Sequence, residues 1–160
     1  MTNRRVEQRG LYFEEFEEGT TYVHSPGRTV TEADNVQFTT MTMNTQSLHL
    51  DRAWAEQSEF GERLVNSMFT LSTLVGLSVG QLTLGTIVAN LGFSEVSFPA
   101  PVHHGDTLYA ETFVRSTRRS RSRPGQGIVE LEHTMYNQDR TIVAKAVRQT
   151  LVLARPEGVS

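Results

Sequence analysis

Ser67-Met68-Phe69-Thr70-Leu71-Ser72-Thr73-Leu74-Val75-Gly76-Leu77-Ser78-Val79-Gly80 is the stretch whose reading decides the fold. Met68, Leu71, Leu74, Val75, Ser78 and Val79 recur at helical spacing, which predicts a helix over 67–80. Asn66 or Ser67 can cap it. Small residues on nearly every turn suggest a helix lying close to other backbone, as one wrapped by a sheet does. After Leu82 the pattern changes to period two with β-rich composition. Strands are predicted over 85–98, 107–118, 127–137 and 141–153. Their short hairpin-type connections make the later strands antiparallel. Helices followed by a run of strands define an α+β domain.

Working back toward the N-terminus, Arg52–Glu59 reads as a short helix stopped by Gly61. Asn44–Asp51 has neither helical nor strand period and reads as a loop. Thr31-Glu32-Ala33-Asp34 is a helix start, with Thr31 as cap and acids at the positive helix end. That helix runs to about Thr40, with Val36 and Phe38 partly buried. Ser25-Pro26-Gly27 signals a turn, and 11–22 reads as an edge segment. Residues 1–10 read as a flexible tail, mobile or loosely docked. Residues 11–155 read as one domain, and 156–160 as a C-terminal tail.

The whole chain of 160 residues is about one domain by the rough guide of ~100–200 residues. No run approaches the ~20 apolar residues of a membrane helix. The chain has no cysteine, which excludes disulfides, thiolate metal sites and cysteine nucleophiles. The N-terminus is charged without a following apolar region, so it is not a secretory signal and a cytoplasmic address is expected. A net charge of −3 argues against a generic nucleic-acid binder. Gly-x-Ser-x-Gly, Walker-type and Gly-x-Gly-x-x-Gly patterns are missing.

Four features could carry chemistry. His49, in the polar run 44–51, can serve as a general base or be a surface or hydrogen-bonded histidine. The segment Val65-Asn66-Ser67-Met68 opens the long helix. Its unpaired N–H groups can hold a negative oxygen or simply be capped. Arg115, Arg118, Arg119, Arg121 and Arg123 concentrate guanidinium groups at a strand end and loop. They suit a phosphate-bearing ligand such as coenzyme A, or a solvated hairpin. Phe98 to Leu108 holds two prolines and a Gly-Asp turn around His103 and His104. Adjacent strand residues point to opposite faces, so one metal would not use both histidines.

The order of these features resembles the MaoC-like dehydratases of the hotdog fold, from about Phe13 to Leu153. The resemblance is carried by Leu48-His49-Leu50-Asp51, by Phe60-Gly61 through the helix, and by Pro101-Val102-His103-His104-Gly105-Asp106-Thr107-Leu108. Thr42–Asp51, Leu64-Val65-Asn66-Ser67 and Gly85–Asn90 resemble the branch of mesaconyl-CoA (β-methylmalyl-CoA) and itaconyl-CoA hydratases.

The resemblance implies an antiparallel sheet wrapped around the 67–80 helix, dimerisation through sheet edges, and an acyl-CoA tunnel at the subunit interface. It implies reversible hydration of an enoyl-CoA with a short branched carboxylated acyl group. By position His49 is the catalytic histidine, and the family aspartate becomes Asn44, which can orient water but not accept its proton at neutral pH. Ser67 N–H is the implied oxyanion donor, with Met68 next and Asn66 beside them. Asp51 is placed in sequence to orient His49. The five arginines, read above for their phosphate chemistry, are the candidate coenzyme A contacts. No metal, nucleotide or flavin is implied, and coenzyme A enters only with the substrate. A homodimer or higher homo-oligomer is expected, with a heterodimer as alternative. The competing functions are a non-catalytic acyl-CoA-binding or partner subunit and a hotdog thioesterase.

Overall fold

The computed structural model describes residues 5–156. Residues 1–4 and 157–160, and with them parts of both expected tails, lie outside the described residues. After a single 3-10 turn (Phe13–Glu15) come the short strands β1 (Thr21–Val23) and β2 (Arg28–Thr29), followed by four α-helices. These are α1 (Glu32–Met41), α2 (Ser47–Leu50), α3 (Arg52–Ala55) and α4 (Ser67–Leu82). The chain ends in β3 (Ile87–Ser97), β4 (Thr107–Arg119), β5 (Gln126–Tyr136) and β6 (Ile142–Leu153). The sheet is antiparallel in the order β1-β4-β5-β6-β3, with β2 also paired to β4.

The four long strands and the central helix stand as expected within a residue or two, and α4 continues to Leu82. Three expectations change. The run 44–51 is not all loop, because Ser47–Leu50 forms one helical turn. The helix expected over 52–59 is one turn long, α3, before irregular chain begins. The end of the expected tail is docked: Gly10 N–H donates to Leu84 O at 2.7 Å and Leu11 N–H to Leu82 O at 2.9 Å. Gly10 sits so close to the end of α4 that a Cβ there would lie 2.5 Å from Thr83 N.

The deeply buried line of α4 is Thr70, Leu74, Ser78 and Leu82, spaced one turn apart. Met68, one of the residues named for their helical spacing, is exposed. The helix is apolar nearly all round, so periodicity gave its existence better than its orientation. Leu74 packs with Leu108, Ala110, Met135, Ala144 and Ala146 from the sheet. Leu82 packs with Phe16, Val114, Val129, Leu131 and Val152. Each fully buried leucine contributes about 1.5–3 kcal/mol by removal of apolar surface from water.

Between these two apolar layers lies a polar belt of Ser78, Thr112, His133 and Arg148, all buried. Thr112 Oγ1 lies 2.8 Å from His133 Nδ1 and 2.7 Å from His24 Nε2. Burial, then the Arg148 and His24 charges, pushes the His133 imidazole down to about 3. Burial likewise lowers Arg148 to about 10. Among the described residues no helix is long and apolar enough to cross a membrane.

Candidate active site

Three segments converge where α4 begins. The first is α1, started by a reciprocal cap in which Asp34 N–H donates to Thr31 Oγ1 and Thr31 N–H donates to Asp34 Oδ2. Its inner face places Asn35 and Thr39, both buried polar residues, one turn apart. The second is α2, which carries His49. The third is the strand-like run 64–66, where Val65 N–H donates to Val102 O at 2.9 Å and Leu64 N–H to Leu48 O at 3.1 Å.

His49 Nδ1 lies 2.9 Å from Leu64 O. A carbonyl oxygen only accepts, so Nδ1 carries the hydrogen and Nε2 is the basic nitrogen of the neutral ring. Asp51 does not orient His49. Its Oδ1 accepts from Trp54 N–H at 3.0 Å and caps α3.

At the start of α4, Asn66 Oδ1 accepts from Met68 N–H at 2.9 Å. The cap therefore consumes the second donor expected for an oxyanion. Ser67 N–H, at the first helical position, has no acceptor among the described residues and retains the positive helix end.

His49 and Ser67 line one cleft of about 540 Å³ with Gln46, Thr70, Phe60 and Phe98. Among the described residues lining it, His49 is the one titratable side chain, and no carboxylate, arginine or lysine joins it. Asn44 is not at the cleft wall. Its Oδ1 accepts from Gln46 N–H at 2.9 Å, a local turn that launches α2. The polar side chain that this loop delivers to the cleft is Gln46.

The chain does not bring the arginines to this cleft. Arg119 lies twelve residues along β4 from Thr107, roughly 40 Å at ~3.4 Å per residue. Arg115 pairs with Glu132 at 2.7 Å, and Arg119 with Glu14 at 2.7 Å while covering the Phe13 ring. Arg118, Arg121 and Arg123 are exposed.

The two adjacent histidines, at an isolated bridge and the turn that follows it, have different partners. His103 Nδ1 lies 3.0 Å from a Glu62 oxygen, whereas His104 Nε2 lies 3.0 Å from Asn35 Nδ2. Burial and then the Arg63 charge push His104 below its ordinary value. Asp106 is structural: it accepts from His103 N–H and from the Gln138 amide, while Gly105 at φ 96° makes the turn. Among the described residues no group of three or more metal-ligating side chains is clustered.

Sequence reasoning passed over Asn35. Its amide donates to His49 O at 3.2 Å and Leu64 O at 3.2 Å, and its Oδ1 accepts from Asn66 N–H at 2.9 Å. The available signal was an asparagine on the inner face of a capped helix, which burial alone turns from neutral to consequential.

An antiparallel sheet wrapped on one long helix, with a cleft where that helix begins, is the architecture of the hotdog class. The MaoC-like domain model matches residues 14–137, and the chain belongs to that family. Its relatives include β-methylmalyl-CoA dehydratase of Chloroflexus aurantiacus, 29% identical over 91% of this chain and 41% of that protein. Mesaconyl-CoA hydratase of Haloarcula marismortui is 30% identical over 94% of this chain and 42% of that protein. A Mycobacterium tuberculosis protein described as a double hotdog fold superimposes with a TM-score of 0.83. It is 23% identical, over 94% of this chain and 46% of that one. This chain thus spans less than half the length of these relatives.

Proposed function

We propose that this chain catalyses the reversible hydration of an enoyl-CoA, as a hydro-lyase. The observation that carries the reading is one cleft holding a single basic nitrogen, His49 Nε2, and a free helix-start N–H at Ser67. In the hydration direction Nε2 takes a proton from water as the water oxygen bonds to Cβ. The double-bond electrons move through Cα to the thioester oxygen, which Ser67 N–H stabilises. The protonated His49 then returns its proton to Cα as the carbonyl re-forms. Hydroxyl is gained at Cβ and hydrogen at Cα, so no cofactor is needed beyond the coenzyme A of the substrate. One oxyanion donor supplies about 2.7–4 kcal/mol and general acid–base work roughly 10²–10⁴-fold. Gln46 orients the water in place of the family aspartate.

The acyl group in this proposal is short, branched and carboxylated, as in mesaconyl-CoA or itaconyl-CoA. The names of the relatives support it, and neutral Gln46 and Thr70 are the cleft groups available to the carboxylate. A cytoplasmic address belongs to the same proposal.

We also propose a dimer through β3, the edge of the sheet. Its Ile87, Leu91, Phe93 and Val96 are exposed in the single chain. Antiparallel pairing of two β3 edges reverses the partner, and β3 starts at the end of the sheet that holds Arg119. The partner's arginine end then lies at this chain's cleft end. That is where Arg115, Arg118, Arg119, Arg121 and Arg123 can contribute to coenzyme A phosphates.

The second reading is a non-catalytic acyl-CoA-binding or partner subunit, favoured by the lack of a carboxylate on the cleft wall among the described residues. The same lack removes the group a thioesterase would place against the helix start. The test is incubation of the purified chain with crotonyl-CoA, mesaconyl-CoA and itaconyl-CoA, read by mass. Gain of one water, fastest on a carboxylated ester, supports the proposal. Tight binding without turnover moves the chain to the partner-subunit reading, and free coenzyme A to the thioesterase.

A further inference from the structure

We infer that Asn35 is the positioning residue that sets the base and the oxyanion donor in one frame. The inference rests on the hydratase reading above. Asn35 is fully buried, on the inner face of α1, and does not line the cleft. Its Oδ1 accepts from Asn66 N–H at 2.9 Å, which fixes the orientation of the amide and leaves Nδ2 as a donor. Nδ2 donates to the main-chain oxygen of His49 and to that of Leu64, each at 3.2 Å. Leu64 O is the same atom that receives His49 Nδ1–H.

One side chain thereby grips the backbone of the catalytic histidine, the acceptor that decides its tautomer, and the N-cap residue that precedes Ser67. Thr39 strengthens the grip, since its Oγ1 accepts from Asn66 Nδ2 at 3.3 Å and lies 3.4 Å from Asn35 Oδ1. The contacts to His49, Leu64 and Asn66 are all to main-chain atoms, so the relative placement of Nε2 and Ser67 N–H is set through the backbone. Nδ2 also lies 3.0 Å from His104 Nε2, a third neighbour that competes for its two hydrogens. A misplacement of about 1 Å between catalytic groups costs on the order of 10²-fold in rate.

Two variants separate the roles of the amide. Asn35→Asp keeps an acceptor for Asn66 N–H but loses both donations and sets a carboxylate against two carbonyl oxygens. Asn35→Ala loses everything. Leu82→Ala, in the distant core layer, is the control for general destabilisation. The readouts are kcat and KM well below each melting temperature, and the ¹⁵N signals of the His49 ring, assigned by their loss in His49→Gln. We expect kcat to fall roughly 10–10²-fold in both Asn35 variants with KM changed less than about threefold. We expect the His49 Nδ1–H signature of the wild type to be lost or averaged in both, and kept in Leu82→Ala. Wild-type kcat and an unchanged His49 signature in folded Asn35 variants overturn the inference. If the wild-type chain hydrates none of the esters, the hydratase reading falls. The ring signals, which need no substrate, still decide whether Asn35 holds His49.

Discussion

His49 and Leu64 are joined by a hydrogen bond of 2.9 Å from the ring Nδ1 to a main-chain oxygen. Where a carboxylate would orient the ring and stabilise its charged form, a carbonyl orients the ring and carries no charge. The arrangement gives His49 a defined tautomer in which Nε2 is the nitrogen without a hydrogen in the neutral ring. Asp51, the nearest acid in sequence, is left free to cap α3.

The Ser67 amide can be removed without disturbing its helix. Ser67 is the first residue of α4, where proline is well tolerated, and Asn66 already has the extended backbone, φ −59° and ψ 125°, that a following proline requires. Ser67→Pro is expected to lower kcat about 10²–10³-fold with little change in melting temperature. Unaltered turnover in a folded Ser67→Pro protein would show that the carbonyl oxygen is held elsewhere.

Asn44→Asp restores the family aspartate by position. Because Asn44 Oδ1 accepts from Gln46 N–H, a carboxylate oxygen can keep the same turn. We expect stability within about 0.5 kcal/mol of wild type, as for an exposed substitution. Activity should be retained and should rise on uncharged enoyl-CoAs such as crotonyl-CoA. Complete loss of activity in the folded variant would mean that the amide itself is required.

Neutralising Arg119 and Arg121 to glutamine should raise KM for coenzyme A esters more than it lowers kcat. The difference should vanish with pantetheine esters, which lack the nucleotide phosphates. Equal KM values for wild type and variant on full coenzyme A esters would remove the arginines from binding.

Acid sensitivity should originate in the polar belt. His133 is held down to about 3 in the folded chain against an ordinary value near 6.5. Above about pH 6.5 both states hold a neutral ring and the shift contributes nothing. Below it the unfolded chain binds the proton first, so stability falls as pH falls, by up to about 1.4 kcal/mol per pH unit, toward pH 3. Burial lowers His24 in the same direction. Urea titrations between about pH 7 and pH 5 should show this slope, reduced in His133→Asn. Identical slopes in the two proteins would place the acid sensitivity elsewhere.

Much of this arrangement was legible in the residues. The α4 helix and four long strands declared themselves because each carries a sustained period; His49 and Ser67, singled out for their chemistry, line one cleft. β1 and β2 are three and two residues long, too short for a period, and exist by pairing with β4. Asn44 was read for its identity, whereas its hydrogen bond makes it a turn residue and hands the cleft to Gln46. Asn35 was silent because its partners are main-chain atoms far along the chain, invisible until α1 packs on 64–66. The arginines looked like one site because they are adjacent in sequence, but β4 carries them to the opposite end of the sheet from His49.

The most direct test of the central claim is a single incubation of the purified chain with mesaconyl-CoA in ¹⁸O-labelled water, alongside His49→Ala. The account predicts a thioester that gains one labelled hydroxyl with coenzyme A still attached. It predicts a rate roughly 10²–10⁴-fold lower in the folded variant. Labelled carboxylic acid with free coenzyme A, or equal rates in the two proteins, would contradict it.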